Sequence, residues 1–431
     1  MAPLGPFGAA PRLAAGVSGG PHSLALALLA DAWARARGGS VLALVADHGL
    51  RAESGAEAAG VAALLASRGI AARVLPLGLA GGPGLQARAR SARMATLGAA
   101  AAADGRAWLL LGQHRADQAE TLLFRALRGS GPAGLAGMAA ARDGGAVLVL
   151  RPLLGVVPAA LEAVVASVGL VPVRDPSNED PRFARVRLRR ALADPGGEGV
   201  GVAALAAAAT AFGLRRARDE TALALRLAAA AEIRPEGFAW IEPGALGRDA
   251  VAAAALAVLV RLVGGGGLAP SVERAAALLV GGHGTLAGAW LRPAVAGRWL
   301  LARDPGGLAP PVPAQAGALW DRRFRLVGEG RAGWVLGALG HGAPGLRGRS
   351  ALPSAVLRAL PAIRDPHGAL AAVPMLDYPS PEACRPFATL FAPGMGREFS
   401  ARPFKGGQPD LMCSANAAGD LPAGTETDNR T

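Results

Sequence analysis

Short apolar runs alternate with segments of helical periodicity through the first half of the chain. Continuous apolar runs predict buried strands over residues 13–17, 41–45, 72–77, 108–111 and 147–154. Apolar positions three and four apart predict helices after residue 23 and over residues 53–67, 85–103 and 117–127. Turn-forming residues predict loops over residues 81–84 and 174–180. The alternation is typical of an α/β fold, with a parallel sheet and helices on both faces.

The second half predicts a different organisation. Residues 201–231 are rich in Ala and Leu and predict a long helix, whereas the alternation over residues 290–301 indicates strands. A Pro- and Gly-rich stretch over residues 304–315 predicts a linker. A helix over residues 354–360 and a strand over residues 370–374 then indicate a small α+β domain. We expect four parts: an α/β domain over 1–215, a helical region over 216–305, the small domain over 316–393 and a mobile tail over 394–431.

Polar residues cluster where three of the predicted strands end. The clusters cover residues 18–23, 47–51 and 113–118. Ligands of open parallel sheets bind beyond the carboxyl ends of the strands. The three clusters therefore predict one shared site.

The first cluster is a Gly-rich turn, VSGGPHS over residues 17–23, between a strand and a helix. A helix N-terminus favours an anion, and Gly19 and Gly20 let the backbone approach a phosphate closely. Ser18 and Ser23 add hydroxyl donors. The turn lacks the lysine and glycine spacing of GxxxxGK[ST]. Taken alone, it is better explained as a tight strand-to-helix turn that needs two glycines.

The chain is basic, with a formal net charge of +13. Such a charge favours a polyanionic partner, either nucleic acid or an anionic membrane surface. Five arginines follow the predicted turn at short spacing, and either a phosphate-binding surface or a solvated helix face explains them: Arg182, Arg185, Arg187, Arg189 and Arg190.

The two cysteines, Cys384 and Cys413, have no CxxC partner, which fits a reducing cytoplasm and excludes a cysteine-rich zinc site. The N-terminus shows no signal-peptide pattern. The apolar runs over residues 200–214 and 250–260 are shorter than the ~20 residues of a membrane span, so we expect buried helices and no membrane contact.

Five stretches, in order, resemble the tRNA(Ile)-lysidine synthetase family of N-type, PP-loop ATP pyrophosphatases. The resemblance covers roughly residues 12–215, and the stretches are VSGGPHS (17–23), ADHGLRAES (46–54), ARSARM (89–94), LGQHRADQAETLLFRALRGSGPAGLAGM (111–138) and DPSNEDPRFARVRLR (175–189). It implies a Rossmann-like PP-loop domain in the first part of the chain.

The resemblance also implies a reaction. Using ATP and Mg²⁺, such an enzyme adenylates the wobble cytidine of a minor isoleucine tRNA with a CAU anticodon and releases pyrophosphate. The ε-amine of free L-lysine then displaces AMP and gives lysidine. The oligomeric state stays open, with a homodimer among the alternatives.

Site residues follow from the matched motifs. The expected nucleotide-binding residues are Ser18, Gly19, Gly20, Pro21, His22, Ser23, Asp47 and His48. The expected catalytic residues are Asp117 and Glu120, which suit a lysine ammonium, and Arg90 and Arg93, which suit a carboxylate or phosphates. By spacing alone, Asp117 and Glu120 are better explained as a helix-capping residue and a solvated acid. The two arginines are equally explained as exposed helix residues.

Several positions depart from the family pattern. His22 stands where the loop has an aspartate, and a neutral imidazole is a poor Mg²⁺ ligand. We therefore expect Asp47 and ATP to hold the metal, and we assign no residue as a metal ligand by itself. Gln113, Ala116 and Met94 replace residues that are commonly histidine, aspartate and tyrosine.

Two other functions are consistent with parts of the sequence. A tRNA thiolation enzyme of the same fold requires a cysteine near the ATP site, but the first cysteine is Cys384. A catalytically impaired tRNA-binding paralogue is the other alternative, because His22 replaces the loop aspartate.

Overall fold

A seven-stranded sheet organises the first part of the chain. The computed structural model describes residues 1–49, 53–78, 85–173, 181–182, 184–393 and 398–399. The elements of this part are β1 Arg12–Val17, α1 Pro21–Arg35, β2 Ser40–Asp47, α2 Ser54–Ala66, β3 Ala71–Pro76, α3 Leu85–Ala103, β4 Trp108–Leu111, α4 Arg115–Ala126, α5 Pro132–Leu135, β5 Ala141–Asp143, β6 Leu148–Leu150, α6 Pro158–Ser167, α7 Ala184–Leu192 and α8 Val200–Ala230.

The remaining elements form three further sheets and their helices, with one strand that returns to the first sheet. They are β7 Ala231–Arg234, β8 Phe238–Ile241, α9 Pro243–Leu246, α10 Ala250–Gly264, α11 Val272–Gly281, β9 Gly284–Leu286, β10 Ala289–Pro293, β11 Trp299–Arg303, β12 Val312–Gln315, β13 Leu319–Trp320, β14 Phe324–Leu326, β15 Gly330–Ala338, α12 Ser354–Arg358, β16 Pro361–Arg364, β17 Leu370–Ala372, α13 Pro381–Cys384, β18 Thr389–Phe391 and β19 Glu398–Phe399. A three-stranded sheet of β13, β14 and β18 completes the set.

The first sheet has the order β19-β5-β6-β4-β1-β2-β3. Its five strands β3, β2, β1, β4 and β6 are parallel. At one edge β5 pairs antiparallel with β6, and β19 pairs antiparallel with β5. The predicted parallel α/β fold is therefore confirmed. Strand β1 lies between β2 and β4 and is parallel to both. The loops after β1 and β4 are therefore neighbours at the carboxyl ends of the strands.

Helices cover both faces of this sheet. Leu13 and Ala15 face a core with α1, α2 and α6, and Ala14 faces a second core with α3. Since successive strand residues point to opposite faces, burial on both sides explains why the strands read as continuous apolar runs.

The middle region contains the predicted long helix, α8, and the compact helical pair α10 and α11. It also contains a five-stranded antiparallel sheet, β7-β8-β11-β10-β9, of which the sequence predicted only the strands over 290–301. One face of this sheet packs on α10 through Leu291 and Leu301, and the other contacts the C-terminal part through Phe238 and Leu300.

The predicted linker over residues 304–315 is wrong at its end. Residues Val312–Gln315 form β12, the edge strand of the four-stranded sheet β12-β15-β16-β17. Pro313 interrupted the strand pattern, but an edge strand tolerates a proline because one side of it has no strand partner. Ala314 is fully buried and ties this segment to the C-terminal core.

Three sequence predictions need a further remark. The loops over 81–84 and 174–180 lie outside the described residues. So does the predicted tail over 394–431, apart from Glu398 and Phe399, which pair with Arg142 and Ala141.

The length argument about membrane spans also needs correction. The run over residues 200–214 belongs to the 31-residue helix α8, which is long and apolar enough to cross a membrane; among the described residues it is the one helix that is. In this structure α8 packs against α4 and α10.

Candidate active site

The loop after β1 is held by its own hydroxyl groups. The Ser18 amide donates to Ser23 Oγ at 3.1 Å, and Ser23 Oγ donates to the Gly20 carbonyl at 2.9 Å. Gly19 has φ +81°, and a Cβ there would lie 2.6 Å from Val61 Cγ2. Both features require glycine. The loop is thus a fixed turn that leads directly into α1.

No side chain caps the N-terminus of helix α1 with a hydrogen bond. Gly20, the N-cap residue, has no side chain to accept a hydrogen bond, and Pro21 at the first helical position has no amide hydrogen. The amides of the first turn and the positive end of the helix dipole therefore lie at the carboxyl end of β1, as an anion-binding site requires.

His22 joins this loop to the neighbouring motif. Its ring lies edge-to-face on the His114 ring, with 4.1 Å between the centroids. Its Nε2 lies 3.5 Å from Glu162 Oε1 on α6. His114 in turn precedes α4, and its Nε2 lies 3.5 Å from Asp117 Oδ2. The first and third polar clusters predicted from the sequence are therefore in contact.

Both imidazoles sit in surroundings that favour the neutral ring. Burial lowers the pKa of His22, although Asp117 and Glu162 oppose the shift. Burial likewise lowers the pKa of His114 to about 4, against the opposing effect of Asp117. Neutral rings can approach each other edge-to-face without charge repulsion.

Asp117 takes the capping position at the start of α4. Its Oδ2 accepts a hydrogen bond from the His114 amide at 3.0 Å. This is the capping arrangement that its spacing allowed, and it fixes the carboxylate beside both histidines.

Glu120 is not a solvated acid. Its side chain is 1% exposed, and it accepts two hydrogen bonds from Arg189, from Nε to Oε1 at 2.7 Å and from Nη2 to Oε2 at 3.3 Å. Burial raises the pKa of Glu120, while Arg189 opposes the shift. The bidentate pair keeps the buried carboxylate compensated.

Arg189 is a site residue that the sequence placed only within a general arginine cluster. It lies on α7, sixty-nine positions from Glu120. Arg187 of the same cluster instead donates to the Pro181 and Arg182 carbonyls. A single sequence does not indicate which arginine of such a cluster pairs with a buried carboxylate.

Asp47 ends β2 as predicted. Its Oδ1 accepts hydrogen bonds from Ser54 Oγ at 2.7 Å and from the Gly49 amide at 2.9 Å. These hydrogen bonds lower the pKa of Asp47, and the one from Ser54 has the larger effect. His48 follows it and is half-buried.

Arg90 and Arg93 both lie on α3. Burial, and after it the charge of Arg90, lowers the pKa of Arg93. Arg90 lines a groove of about 460 Å³ with Met94, Arg142 and Val147, which no residue of the histidine cluster lines. The predicted role of Arg90 and Arg93 therefore stays a prediction.

Gln118 fixes the loop after α4, a role that the sequence did not predict. Its side-chain amide donates to the Met138 carbonyl at 2.9 Å, and its carbonyl accepts from the Met138 amide at 2.7 Å. Arg125 adds hydrogen bonds to the Gly134 and Gly137 carbonyls. The DQAET and GLAGM stretches are thereby one structural unit.

The residues present suit Mg²⁺ only in company with phosphates. Across the described part of the chain, no group of three or more His, Cys, Asp or Glu side chains is arranged to hold a metal ion. Mg²⁺ commonly binds one or two carboxylates together with substrate phosphates and water. Asp47, at the end of β2, is a carboxylate suited to such a shared site.

Comparison with known proteins agrees with the motifs. The PP-loop domain profile matches residues 4–195. A tRNA(Ile)-lysidine synthase from Novosphingobium aromaticivorans is 42% identical over 301 residues, which are 68% of this chain and 89% of that protein. One from Methylobacterium nodulans is 39% identical over 334 residues, which are 73% of this chain and 94% of that protein. Because the similarity extends over most of both proteins, the chain belongs to the tRNA(Ile)-lysidine synthase family of PP-loop enzymes.

Proposed function

We propose that the chain ligates free L-lysine to the wobble cytidine of a minor isoleucine tRNA with a CAU anticodon, and that it consumes ATP through an adenylated tRNA intermediate. The observation that carries the proposal is the contact of His22 with His114, with ring centroids 4.1 Å apart. It joins the phosphate loop to the helix that bears Asp117 and Glu120, so nucleotide and amine sites would adjoin.

The loop and α1 would hold the phosphates. At the start of the helix, amides and the helix dipole stabilise negative charge. The residues there are Ser18, Gly19, Gly20, Pro21, His22 and Ser23. Asp47 would share Mg²⁺ with the phosphates, and His48 would lie beside the nucleotide. Mg²⁺ would supply charge neutralisation for the leaving pyrophosphate.

The acids of α4 would receive the lysine ammonium. Asp117 lies beside the histidines, whereas the charge of Glu120 is compensated by Arg189. We therefore propose Asp117 as the principal carboxylate for the ammonium, with Glu120 joining when its pair with Arg189 opens. Such groups act by positioning the amine for attack. Arg90 and Arg93 remain proposed contacts for a carboxylate or phosphate.

The basic surface would bind the tRNA. A net charge of +13 favours a polyanion, and phosphate contacts make such binding weaken as salt rises. We propose that the protein works in the cytoplasm, where its tRNA substrate is. For the oligomeric state, a monomer and a homodimer are both consistent with this proposal.

Incorporation of radiolabelled lysine into total bacterial tRNA, with ATP and Mg²⁺, tests the proposal. The parent chain should incorporate lysine, and Asp117→Asn should incorporate far less at saturating ATP. The matched control is Asp143→Asn, which removes a carboxylate of the β5–β6 turn and should leave incorporation unchanged.

The catalytically impaired alternative rests on His22. If the parent binds tRNA without incorporating lysine while His22→Asp does incorporate it, the fold and substrates are assigned correctly and the natural loop limits catalysis. If neither protein incorporates lysine, the binding-protein alternative replaces the proposed activity.

A further inference from the structure

The histidine in the phosphate loop lies in surroundings suited to gaining and losing a proton. His22 occupies the second position of α1, and its ring packs edge-to-face against His114. In the described part of the chain, neither His22 Nε2 nor the buried His114 Nδ1 has a hydrogen-bond partner. His114 is only 7% exposed. Unpartnered polar atoms beside a helix N-terminus are costly unless a ligand satisfies them.

Charged groups of three neighbouring helices face His22. They are Asp117 on α4, beside His114, Glu162 on α6, and Arg189 on α7. The carboxylates favour a protonated ring, whereas burial and Arg189 disfavour it. The opposing influences leave the ring responsive to any further charge that arrives.

The contact with Glu162 is long and open to solvent. Glu162 Oε1 lies 3.5 Å from His22 Nε2, beyond a good hydrogen bond, and the Glu162 side chain is 58% exposed. It can therefore turn into solvent. A polyphosphate at the start of α1 would repel this carboxylate and would attract an imidazolium in its place.

We propose that His22 binds the phosphates as an imidazolium, taking up one proton from solvent as the polyphosphate binds and exchanging its contact with Glu162 for one with a phosphate oxygen. The inference rests on the proposed function, because it assumes that this loop holds the nucleotide. No bond of the nucleotide forms or breaks in this step. The proton adds to the unprotonated ring nitrogen and leaves again when the pyrophosphate departs.

The proposal gives His22 a role that the loop aspartate cannot have. An aspartate contributes a negative charge and needs Mg²⁺ between itself and a phosphate, whereas an imidazolium donates directly to the phosphate oxygen. Phosphate binding by this chain should therefore depend on pH more and on Mg²⁺ less than binding by His22→Asp.

Calorimetry with inorganic pyrophosphate tests the proposal directly. Titrations of the whole chain without Mg²⁺, in two buffers of different ionisation enthalpy at one pH, give the number of protons taken up. Pyrophosphate itself titrates, so the informative quantity is the difference between the parent and His22→Gln. We expect up to one additional proton for the parent. We also expect its affinity to fall by about tenfold per pH unit, relative to His22→Gln, between the pKa of His22 in the free protein and its higher pKa in the complex.

Two further variants assign the proton. Glu162→Gln should keep the uptake and bind pyrophosphate about two- to fivefold more tightly, because the competing carboxylate is gone. His114→Gln should keep the uptake as well. Loss of the uptake in His114→Gln but not in His22→Gln would overturn the assignment to His22.

The outcomes separate this inference from the proposed function. Pyrophosphate binding with equal proton uptake by the parent and His22→Gln overturns the inference, while lysine ligation could still stand. Uptake that depends on His22, in a protein that never incorporates lysine, supports the inference and removes the proposed ligase activity.

Discussion

Single residues set the shape of the phosphate loop. Gly19 combines φ +81° with a backbone position that faces Val61 and Val173, and the two serines hold the turn from inside. A side chain at position 19 would meet both strain and collision, so the loop tolerates only glycine there.

Gly19→Ala should therefore lower the free energy of unfolding by about 1–3 kcal/mol and should weaken nucleotide binding, because the turn must move. Denaturant unfolding and nucleotide titration measure the two effects. Gly60→Ala is a matched control in the neighbouring helix α2: it is exposed, no atom lies within 4 Å of its added Cβ, and it should stabilise the helix by about 0.5–1 kcal/mol. A neutral Gly19→Ala would contradict the strain argument.

Local sequence predicts where the site residues stand along the chain, but not which of them meet. The sequence placed the phosphate loop, Asp47 and the start of α4 at strand ends, and the structure confirms these positions. It gave no indication that His22 contacts His114 or that Arg189 pairs with Glu120, because both contacts join helices that are distant in the chain. Polar contacts of this kind leave no periodic pattern in the sequence.

The Arg189–Glu120 pair permits a prediction of its own. Arg189→Met would leave the Glu120 carboxylate buried without its donors, and we expect a loss of about 1–3 kcal/mol of stability, reduced by the partial exposure of Arg189. The double variant with Glu120→Gln should recover part of the loss, because a neutral amide is less costly to bury. Equal stabilities of the parent and Arg189→Met in urea unfolding would show that the pair contributes nothing.

Continuous apolar runs and helical periodicity predicted several helices and strands of the first sheet. The helix over 85–103 and the strand over 108–111 have the predicted bounds, because glycines or charged residues stand close beside their ends in the sequence. The hairpin of β7 and β8 was missed, although Gly237, with φ +81° between the two strands, is a hairpin signal. Its pairing with β11 depends on residues about sixty positions away, which local patterns do not register.

The unit formed by α4 and the loop after it rests on Gln118. Gln118→Leu would remove both hydrogen bonds to Met138, and we expect a loss of about 1–3 kcal/mol and reduced lysine incorporation. Thr221→Ala, which removes a hydroxyl bonded within its own helix, is the control and should change stability by less than about 0.5 kcal/mol. Hydrogen exchange at the Met138 amide reports the local effect; unchanged protection in Gln118→Leu would refute the proposed role.

At the scale of the whole molecule, a buried charge network joins the middle and C-terminal parts. Asp321 accepts hydrogen bonds from Arg303 at 2.9 Å and from Arg323 at 2.8 Å. Arg323 is fully buried and donates to the carbonyls of Gly237 and Ala359, which belong to the two parts. Burial lowers the pKa of Arg323 to about 10, against the opposing effect of Asp321.

Asp321→Asn should destabilise the protein by about 3–5 kcal/mol, because two buried arginines lose their counter-charge. The arginines hold the pKa of Asp321 below its usual value although burial opposes them. Its contribution is therefore present above the unfolded-state pKa and is lost as the pH falls through the folded-state pKa. Urea unfolding against pH measures both effects. A parent and variant that converge at neutral pH rather than in acid would contradict this sign.

The central claim is that this chain forms lysidine at one position of one kind of tRNA. The most direct test is mass analysis of the wobble nucleoside of an isoleucine tRNA transcript with a CAU anticodon, after incubation with the parent chain, ATP, Mg²⁺ and lysine. We predict a cytidine that has gained lysine with loss of water, and no product on a transcript whose wobble base is uridine. Unmodified cytidine, under conditions in which the protein binds the transcript and ATP, would contradict the account.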